Sequence, residues 1–210
     1  MKILFYGDSI TDAGRDYATD HETASYGYGY VKHTLEGLLK EGADVNDIWN
    51  RGISGNRIVD LYARIKVDCW NLQPDVLSIL IGVNDVWHEI EGKNGVELDR
   101  FEKVYRMLIE DTKKRLPNVK IVLCEPFFLK GPATQAKYGE FLQVYDYAKV
   151  VKKLAEEYGL YFLPLQEKLN EAAAKTCETE YLVDGVHPAE AGAKLIASEW
   201  LKLFNEQVKK

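Results

Sequence analysis

The chain has 210 residues and a mass of 23.9 kDa, the usual size of one folded domain and sufficient for a substantial hydrophobic core. Its composition, 46% hydrophobic and 29% charged, is that of an ordinary globular protein, and no low-complexity tract or repeated period indicates a solenoid. The formal net charge of -6 and the pI near 5.4 argue against nucleic-acid partners and anionic polymer substrates, because clustered Lys and Arg bind such molecules.

The amino-terminal segment predicts neither a secretion signal nor a membrane span. Its longest apolar run, residues 3–6, is too short for the core of a signal peptide. Cys69, Cys124 and Cys177 are odd in number and widely separated. This spacing favours reduced thiols that pack in the core over a disulfide framework or a zinc site. We therefore expect a cytoplasmic protein that does not associate with membranes.

The first part of the chain alternates between β-type and helical patterns. Strands are predicted over residues 2–6, 45–49 and 76–81, and helices over residues 28–40 and 57–70. The segment 76–81 is apolar at nearly every position. Such a run is typical of a strand that is buried on both faces of a parallel sheet.

The same alternation continues to the end of the chain. An amphipathic helix is predicted over residues 98–116, followed by strands at 121–124 and 161–163 and by helices at 138–158, 165–174 and 188–204, with Pro188 at the first position of the last helix. Alternating strands and helices predict a three-layer α/β/α sandwich with a mainly parallel five-stranded sheet. We expect one domain over residues 1–210.

Polar segments that contain glycine follow three of the predicted strands. They are GDSIT at 7–11, NRGISGN at 50–56 and GVND at 82–85, and a fourth segment, DGVHP at 184–188, precedes the last helix. Ligands of open parallel sheets bind beyond the carboxyl ends of the strands. The fourth segment reaches the same edge if the last helix runs antiparallel to the strands. All four segments are therefore expected to converge on one site.

These segments, in this order, resemble the four sequence blocks of the SGNH (GDSL-like) hydrolases. One block alone is a weak signal, but the ordered set spans nearly the whole chain. The resemblance implies a flavodoxin-like SGNH fold and a serine esterase that works through an acyl-enzyme intermediate. The longer strings GDSITDAGR, GYGYV, NRGISGN and IGVNDVW are similar to those of acetyl-xylan esterases. They imply a small acylated substrate, namely an acetylated sugar or oligosaccharide.

Ser9, Asp184 and His187 are predicted to form a catalytic triad. A serine hydroxyl is a poor nucleophile until a neighbouring base takes its proton, and histidine, with an ordinary pKa of about 6.5, suits that task near neutral pH. Pro188 biases His187 away from helical backbone angles, which displays the imidazole at the mouth of the last helix. Asp184 precedes His187 by three residues in a loop with glycine. It is expected to bind the other ring nitrogen.

The resemblance also implies an oxyanion hole formed by the backbone N–H groups of Ser9 and Gly55 and the side-chain amide of Asn84. A glycine lets the backbone approach the substrate closely, and an asparagine amide is a neutral donor at any working pH. Trp87 follows Asn84 by three residues. It is predicted to contact the substrate near the acyl site.

Several other residues have a structural explanation beside a functional one. By resemblance, Asp8 and Asp85 support their loops and do not react. Arg15 and Arg57 are left open between contact with substrate oxygens and pairing with a nearby carboxylate. For the remaining histidines we expect surface or structural roles, and for most aromatic residues of the predicted rim we expect packing; these residues are His21, His33, His88, Tyr26, Tyr28, Tyr30, Phe127 and Phe128.

Other classes of protein agree less well with the sequence than a serine esterase does. A phosphate-binding module is disfavoured because Asp8 and Asp12 in the first loop repel anions. A metal-dependent hydrolase would use Asp8, Asp85 and His187, but no H-x-E, H-E-x-x-H or D-x-H cluster is present, so we expect no metal and no cofactor. A lysophospholipase- or thioesterase-type acyl hydrolase and a non-catalytic α/β binding domain stay open, as does a homo-oligomer. The chain has no G-x-S-x-G elbow and no long apolar lid segment, and its short loops predict a preference for acetyl over long acyl chains.

Overall fold

The centre of the protein is a sheet of five parallel strands. In the computed structural model, which describes residues 1–210, the strands are β1 (Ile3–Gly7), β2 (Ile48–Gly52), β3 (Val76–Leu80), β4 (Lys120–Cys124) and β5 (Tyr161–Leu163). Their spatial order is β2-β1-β3-β4-β5. The predicted parallel five-stranded sheet is confirmed.

The burial of each strand follows from its place in the sheet. Every residue of β1 and β3 is buried, whereas buried and half-buried residues alternate along the edge strand β2. This explains the nearly continuous apolar sequence of β3, which has neighbouring strands on both sides. The one hydroxyl group of β3 belongs to Ser78. Its Oγ has a hydrogen-bond partner within the core, because it accepts a hydrogen bond from Trp200 Nε1 at 2.9 Å.

Ten α-helices surround the sheet. They are α1 (Ser9–Asp12), α2 (Tyr30–Lys40), α3 (Ile58–Ile65), α4 (Val83–Gly92), α5 (Leu98–Arg115), α6 (Tyr138–Phe141), α7 (Val144–Tyr158), α8 (Gln166–Ala173), α9 (Glu178–Tyr181) and α10 (Glu190–Leu203). The strand order reverses direction after β2, so right-handed crossovers place α2 on one face and α3, α5 and α7 on the other. The last helix, α10, packs on α2, and α5 packs on both α3 and α7. No helix combines the length and the apolar character that crossing a bilayer requires.

Two predicted elements of the first half have different bounds. The strand expected at residues 45–49 begins only at Ile48, because Val45–Asp47 forms a 3₁₀ turn that Asp44 caps by accepting the N–H of Asn46 at 2.9 Å. The helix expected at 57–70 is α-helical only as far as Ile65. It continues as a wider π-helical turn over Lys66–Trp70.

The structure differs from the sequence prediction in three further places. The helix expected at 138–158 consists of α6 and α7, which are separated at Leu142 and Gln143. The placement of Pro188 inside the last helix is wrong, because Pro188 pairs with Leu182 in an isolated antiparallel bridge and α10 begins at Glu190. The helix α4 was not predicted at all. Two residues separate it from the end of β3, and its first turn contains the polar residues of the GVND segment.

Candidate active site

The carboxyl ends of the central strands lie level at one edge of the sheet. Gly7, the last residue of β1, is paired with the last residues of both β2 and β3. Immediately beyond these ends, Ser9 is the first residue of α1, Gly55 lies in the turn after β2, and Asn84 is in the first turn of α4. The parallel register thus brings the first three predicted segments to the same edge.

Ser9, His187 and Asp184 form a continuous chain of hydrogen bonds. Ser9 Oγ lies 2.8 Å from His187 Nε2, and His187 Nδ1 lies 2.6 Å from Asp184 Oδ2. The second carboxylate oxygen, Asp184 Oδ1, accepts the backbone N–H groups of Val186 and His187, both at 2.8 Å. The backbone of the turn therefore orients the carboxylate, and the carboxylate orients the imidazole. With Nδ1 bound to Asp184, Nε2 is the nitrogen that faces the serine hydroxyl.

The same contacts shift the pKa values of both groups. Burial opposes ionisation of Asp184, but the hydrogen bonds from the His187 ring and from the N–H groups of His187 and Val186 outweigh it and lower the pKa of Asp184 to about 2. The hydrogen bond to Asp184 raises the pKa of His187 above its ordinary 6.5, although burial acts in the opposite direction. Asp184 is therefore ionised at neutral pH, and it makes His187 a stronger base.

The turn that carries Asp184 and His187 is anchored by the segment that follows β4. Ala133 N–H donates to the carbonyl of Asp184 at 2.9 Å, and Leu129 N–H donates to the carbonyl of Gly185 at 2.8 Å. Within the turn, Val183 N–H donates to the carbonyl of His187 at 2.9 Å. Sequence analysis missed this anchoring segment because its contacts use backbone atoms, which any residue type supplies.

Three donors beyond the strand ends match the predicted oxyanion hole in chemistry. The backbone N–H groups of Ser9 and Gly55 donate no hydrogen bond within the chain. Gly55 has a φ of +80°, a conformation that strains any residue with a Cβ, so the turn requires glycine. Asn84 Nδ2 donates to the carbonyl of Asn56 at 3.1 Å. Because an amide nitrogen carries two N–H bonds, a second donor remains on Asn84.

Asp12, at the end of α1, connects the helix of Ser9 to the loop of Gly55, a role that sequence analysis did not assign. Its Oδ2 accepts the N–H of Ser54 at 2.9 Å and the hydroxyl of Ser54 at 2.6 Å, and it also accepts the hydroxyl of Tyr17. The residue is 2% exposed. Asp12 and Ser54 are 42 positions apart, so no local pattern reveals the contact.

Asp8 and Asp85 have the geometry of loop-supporting residues. Asp8 Oδ1 caps α1 by accepting Ile10 N–H at 2.9 Å, while its Oδ2 is buried without a partner. Asp85 Oδ1 accepts Ile58 N–H at 3.0 Å and so joins α4 to the start of α3. Burial raises the pKa of Asp8 to about 7 and that of Asp85 to about 8, against the effect of these N–H bonds. The protein has no group of three or more His, Cys, Asp or Glu side chains arranged to hold a metal ion.

The two arginines with open roles are both bound within the protein. Arg15 is 7% exposed, and its Nε donates to the carbonyl of Gly52 at 2.8 Å. Arg57 Nε donates to Asp60 Oδ2 at 2.9 Å, next to the start of α3. The structure therefore favours the pairing explanation for Arg57 and shows Arg15 bound to backbone.

The aromatic residues of the predicted rim separate into two groups. Trp87 lies beside His187, with the ring centroids 5.9 Å apart, and its Nε1 donates to Glu91 Oε1 at 2.6 Å. Tyr28 is 71% exposed. The others are buried in the core: Tyr26, Tyr30, Phe127 and Phe128. The expected packing role is confirmed for these four, which leaves Trp87 and Tyr28 for contact with a ligand.

Solved structures share this fold across nearly the whole chain. A GDSL-like protein from Parabacteroides merdae has a TM-score of 0.90 at 41% identity, covering 97% of this chain and 94% of that one. Axe2, an acetylxylan esterase from Geobacillus stearothermophilus, has a TM-score of 0.83 at 36% identity, covering 96% and 93%. Two further structures of Axe2 are of catalytic mutants, in which a serine and an aspartate, respectively, are replaced by alanine.

The sequence comparisons agree with the structural ones. The GDSL-like Lipase/Acylhydrolase family matches residues 5–195. An acetylxylan esterase from Geobacillus stearothermophilus is 36% identical over 209 residues, which cover 96% of this chain and 92% of the esterase. The chain therefore belongs to the GDSL-like lipase/acylhydrolase family. It is a carboxylic ester hydrolase.

Proposed function

We propose that the protein removes acetyl groups from acetylated sugars or oligosaccharides, with Ser9 as the nucleophile. The observation that carries the proposal is the hydrogen-bonded chain in which Ser9 Oγ lies 2.8 Å from His187 Nε2 and His187 Nδ1 lies 2.6 Å from Asp184. His187 accepts the hydroxyl proton while Ser9 Oγ attacks the ester carbonyl carbon. Asp184 stabilises the imidazolium that forms.

The attack converts the carbonyl oxygen into an oxyanion, for which we assign three donors. They are the free N–H groups of Ser9 and Gly55 and the second N–H of the Asn84 amide. His187 then donates its proton to the alcohol oxygen as the bond from that oxygen to the acyl carbon breaks, which leaves an acyl group on Ser9. A water molecule, deprotonated by His187, hydrolyses this acyl-enzyme and restores the free serine.

Two observations support an acetylated carbohydrate as the substrate. The relative that matches 96% of the chain is an acetylxylan esterase. Trp87, which lies beside His187, offers an aromatic surface at the proposed site and is proposed to contact the substrate. A lysophospholipase- or thioesterase-type acyl hydrolase would use the same three residues, so the substrate must be tested separately from the nucleophile.

The nucleophile is tested with Ser9→Ala and with an active-site-directed fluorophosphonate. We expect the substitution to lower turnover by about 10⁴-fold without unfolding the protein, and the probe to label the wild type but not the variant. A Ser9→Ala enzyme with near-native turnover would overturn the mechanism, and a wild type that is neither labelled nor active would indicate a non-catalytic binding domain.

The substrate class is tested by comparing acetylated xylobiose, acyl-thioesters and p-nitrophenyl esters as substrates of the wild type. We expect the acetylated sugar and the short-chain ester to be hydrolysed with the highest kcat/KM. Turnover confined to long-chain esters or thioesters would contradict the proposed carbohydrate substrate but not the role of Ser9 as nucleophile. Each assay is repeated with EDTA, which should leave the rates unchanged for a metal-independent triad.

A further inference from the structure

A groove of about 490 Å³ opens beside His187, between the start of α2 and the start of α10. Its volume falls within the range of small-molecule sites in proteins. Two exposed apolar side chains contribute to it, Tyr28 and Val183, which are 71% and 52% exposed. Lys32 and Glu190 add polar groups to the same walls.

The position of His187 in the groove determines which part of an ester the groove faces. In the proposed reaction His187 gives a proton to the alcohol oxygen, so the alcohol part of the substrate lies on the side of the imidazole. The assigned oxyanion donors Gly55 and Asn84 lie instead in the loop before α3 and in the first turn of α4. None of the residues that line the groove belongs to α3, to α4 or to the loop of Gly55. It is therefore placed to hold the alcohol, which in an acetylated carbohydrate is the sugar.

Tyr28 has the geometry of an aromatic platform in this groove. Its backbone N–H donates to the carbonyl of Ala13 at 2.9 Å, which fixes the residue just before α2. Its ring lies against Gly14, where a Cβ would come within 2.9 Å of Tyr28 Cε1. The glycine thus supports the ring from one side without a side chain, while most of the ring stays exposed. Aromatic faces of this kind bury the apolar C–H surface of a pyranose ring.

Lys32 is the charged residue of the groove that is free to bind a ligand. His33 pairs with Glu36 at 3.2 Å, and Glu190 pairs with Lys194. Lys32 forms no such ion pair, and it lies in the first turn of α2, four positions after Tyr28, which precedes the helix. Its ammonium group has three N–H donors and makes no hydrogen bond within the protein, which suits the hydroxyl oxygens of a sugar.

We propose that Tyr28 and Lys32 form the subsite for the sugar ring that carries the scissile acetyl group. The ring stacks on Tyr28, and a hydroxyl of the same ring accepts a hydrogen bond from Lys32. This inference rests on the proposed function, because it assigns the groove to the alcohol that leaves through His187. Substitutions in this subsite must therefore change kcat/KM for substrates that contain a sugar ring. They must have no effect when the alcohol is too small to reach Tyr28.

The test measures kcat/KM on acetylated xylobiose and on ethyl acetate for the wild type, Tyr28→Ala, Tyr28→Phe and Lys32→Met. Tyr28→Ala should lower kcat/KM about tenfold on the sugar ester and less than twofold on ethyl acetate. Tyr28→Phe keeps the ring and should retain the wild-type values on both substrates. Lys32→Met should lower the sugar-ester value about threefold, again without an effect on ethyl acetate.

Val67→Ala is a matched control, since Val67 is 63% exposed and does not line the groove. It should leave both substrates unaffected. Equal losses on the two substrates for Tyr28→Ala, or an unchanged sugar-ester value, would overturn the subsite. So would a wild type that hydrolyses ethyl acetate but not acetylated xylobiose. Failure of the proposed mechanism is recognised separately, because Ser9→Ala would then still hydrolyse ethyl acetate.

Discussion

Asp12 Oδ2 accepts two hydrogen bonds from Ser54, one from its N–H at 2.9 Å and one from its hydroxyl at 2.6 Å, and so couples the helix of Ser9 to the loop of Gly55. Because hydrogen bonds to a buried carboxylate are strong, this contact sets the position of the Gly55 N–H. We expect Asp12→Ala to lower kcat about 10- to 100-fold with a smaller change in KM, measured by steady-state kinetics on an acetyl ester.

Tyr17→Phe is the control for Asp12→Ala, because it removes only the tyrosine hydroxyl that Asp12 accepts. We expect its kcat to stay within about threefold of the wild type. A folded Asp12→Ala variant with wild-type kcat, its thermal midpoint measured in parallel, would show that the contact with Ser54 does not position the site.

The assigned role of Asn84 predicts a loss in kcat. Asn84→Ala removes a donor that binds the oxyanion only in the transition state, so kcat should fall about 10²- to 10³-fold while KM changes little. The reduced kcat would be measured with saturating p-nitrophenyl acetate. Circular dichroism and the thermal midpoint control for the lost hydrogen bond to Asn56, which lies at 3.1 Å. A variant that loses activity only through a higher KM would assign Asn84 to ground-state binding.

The pH dependence of activity follows from the raised pKa of His187. The base must be neutral to accept the serine proton, and Asp184 raises the pKa of His187 above 6.5. The value of kcat/KM should therefore fall as the pH drops through a midpoint above 6.5. Asp184→Asn removes the stabilising carboxylate and should move this midpoint to lower pH while reducing kcat. A wild-type profile that is flat down to pH 4 would contradict the role of His187.

The buried carboxyl of Asp85 predicts a pH dependence of stability. Burial raises its pKa in the folded protein from 3.8 to about 8. Between these two values the folded state binds more protons than the unfolded state, so the free energy of unfolding decreases as the pH rises. Thermal midpoints should therefore fall from pH 5 to pH 8 more steeply for the wild type than for Asp85→Asn, whose carbonyl oxygen still accepts Ile58 N–H.

Asp146→Asn serves as the matched control for Asp85→Asn, because the side chain of Asp146 is 51% exposed. It should keep the wild-type dependence of thermal midpoint on pH. Parallel curves for the wild type and Asp85→Asn would show that Asp85 is already ionised in the folded protein at pH 5.

The short connections beyond the strand ends predict a preference for acetyl. Only Asp8 separates β1 from α1, and two residues separate β3 from α4, so these segments enclose little apolar surface. A fitted tunnel would gain about 0.8 kcal/mol, nearly fourfold in binding, for each added CH₂ group. We expect no such rise in kcat/KM for p-nitrophenyl esters from C2 to C12. A maximum at C8 or longer would indicate an enclosed acyl site instead.

Hydrophobic periodicity was sufficient to predict the parallel sheet and most of the helices. The strand β3 is an example, because its burial on both faces makes nearly every residue apolar. The error at Pro188 arises because its bridge to Leu182, within the turn that carries His187, holds the residue outside α10. The helix α4 was missed because polar residues of the GVND segment occupy its first turn. The single-domain organisation, the cytoplasmic location and the absence of nucleic-acid and membrane partners stay predictions.

The sequence by itself determined the α/β class, the family and the choice of Ser9, Asp184 and His187, since strand periodicity and short motifs are local properties of a chain. Only the tertiary structure decided that Ser9 and His187, 178 positions apart, lie in hydrogen-bonding contact. It also decided that Tyr28 is exposed beside His187 while Tyr26 is buried. The physical reason is that burial and long-range hydrogen bonds depend on which segments the sheet and its helices bring together, and no local pattern records that arrangement.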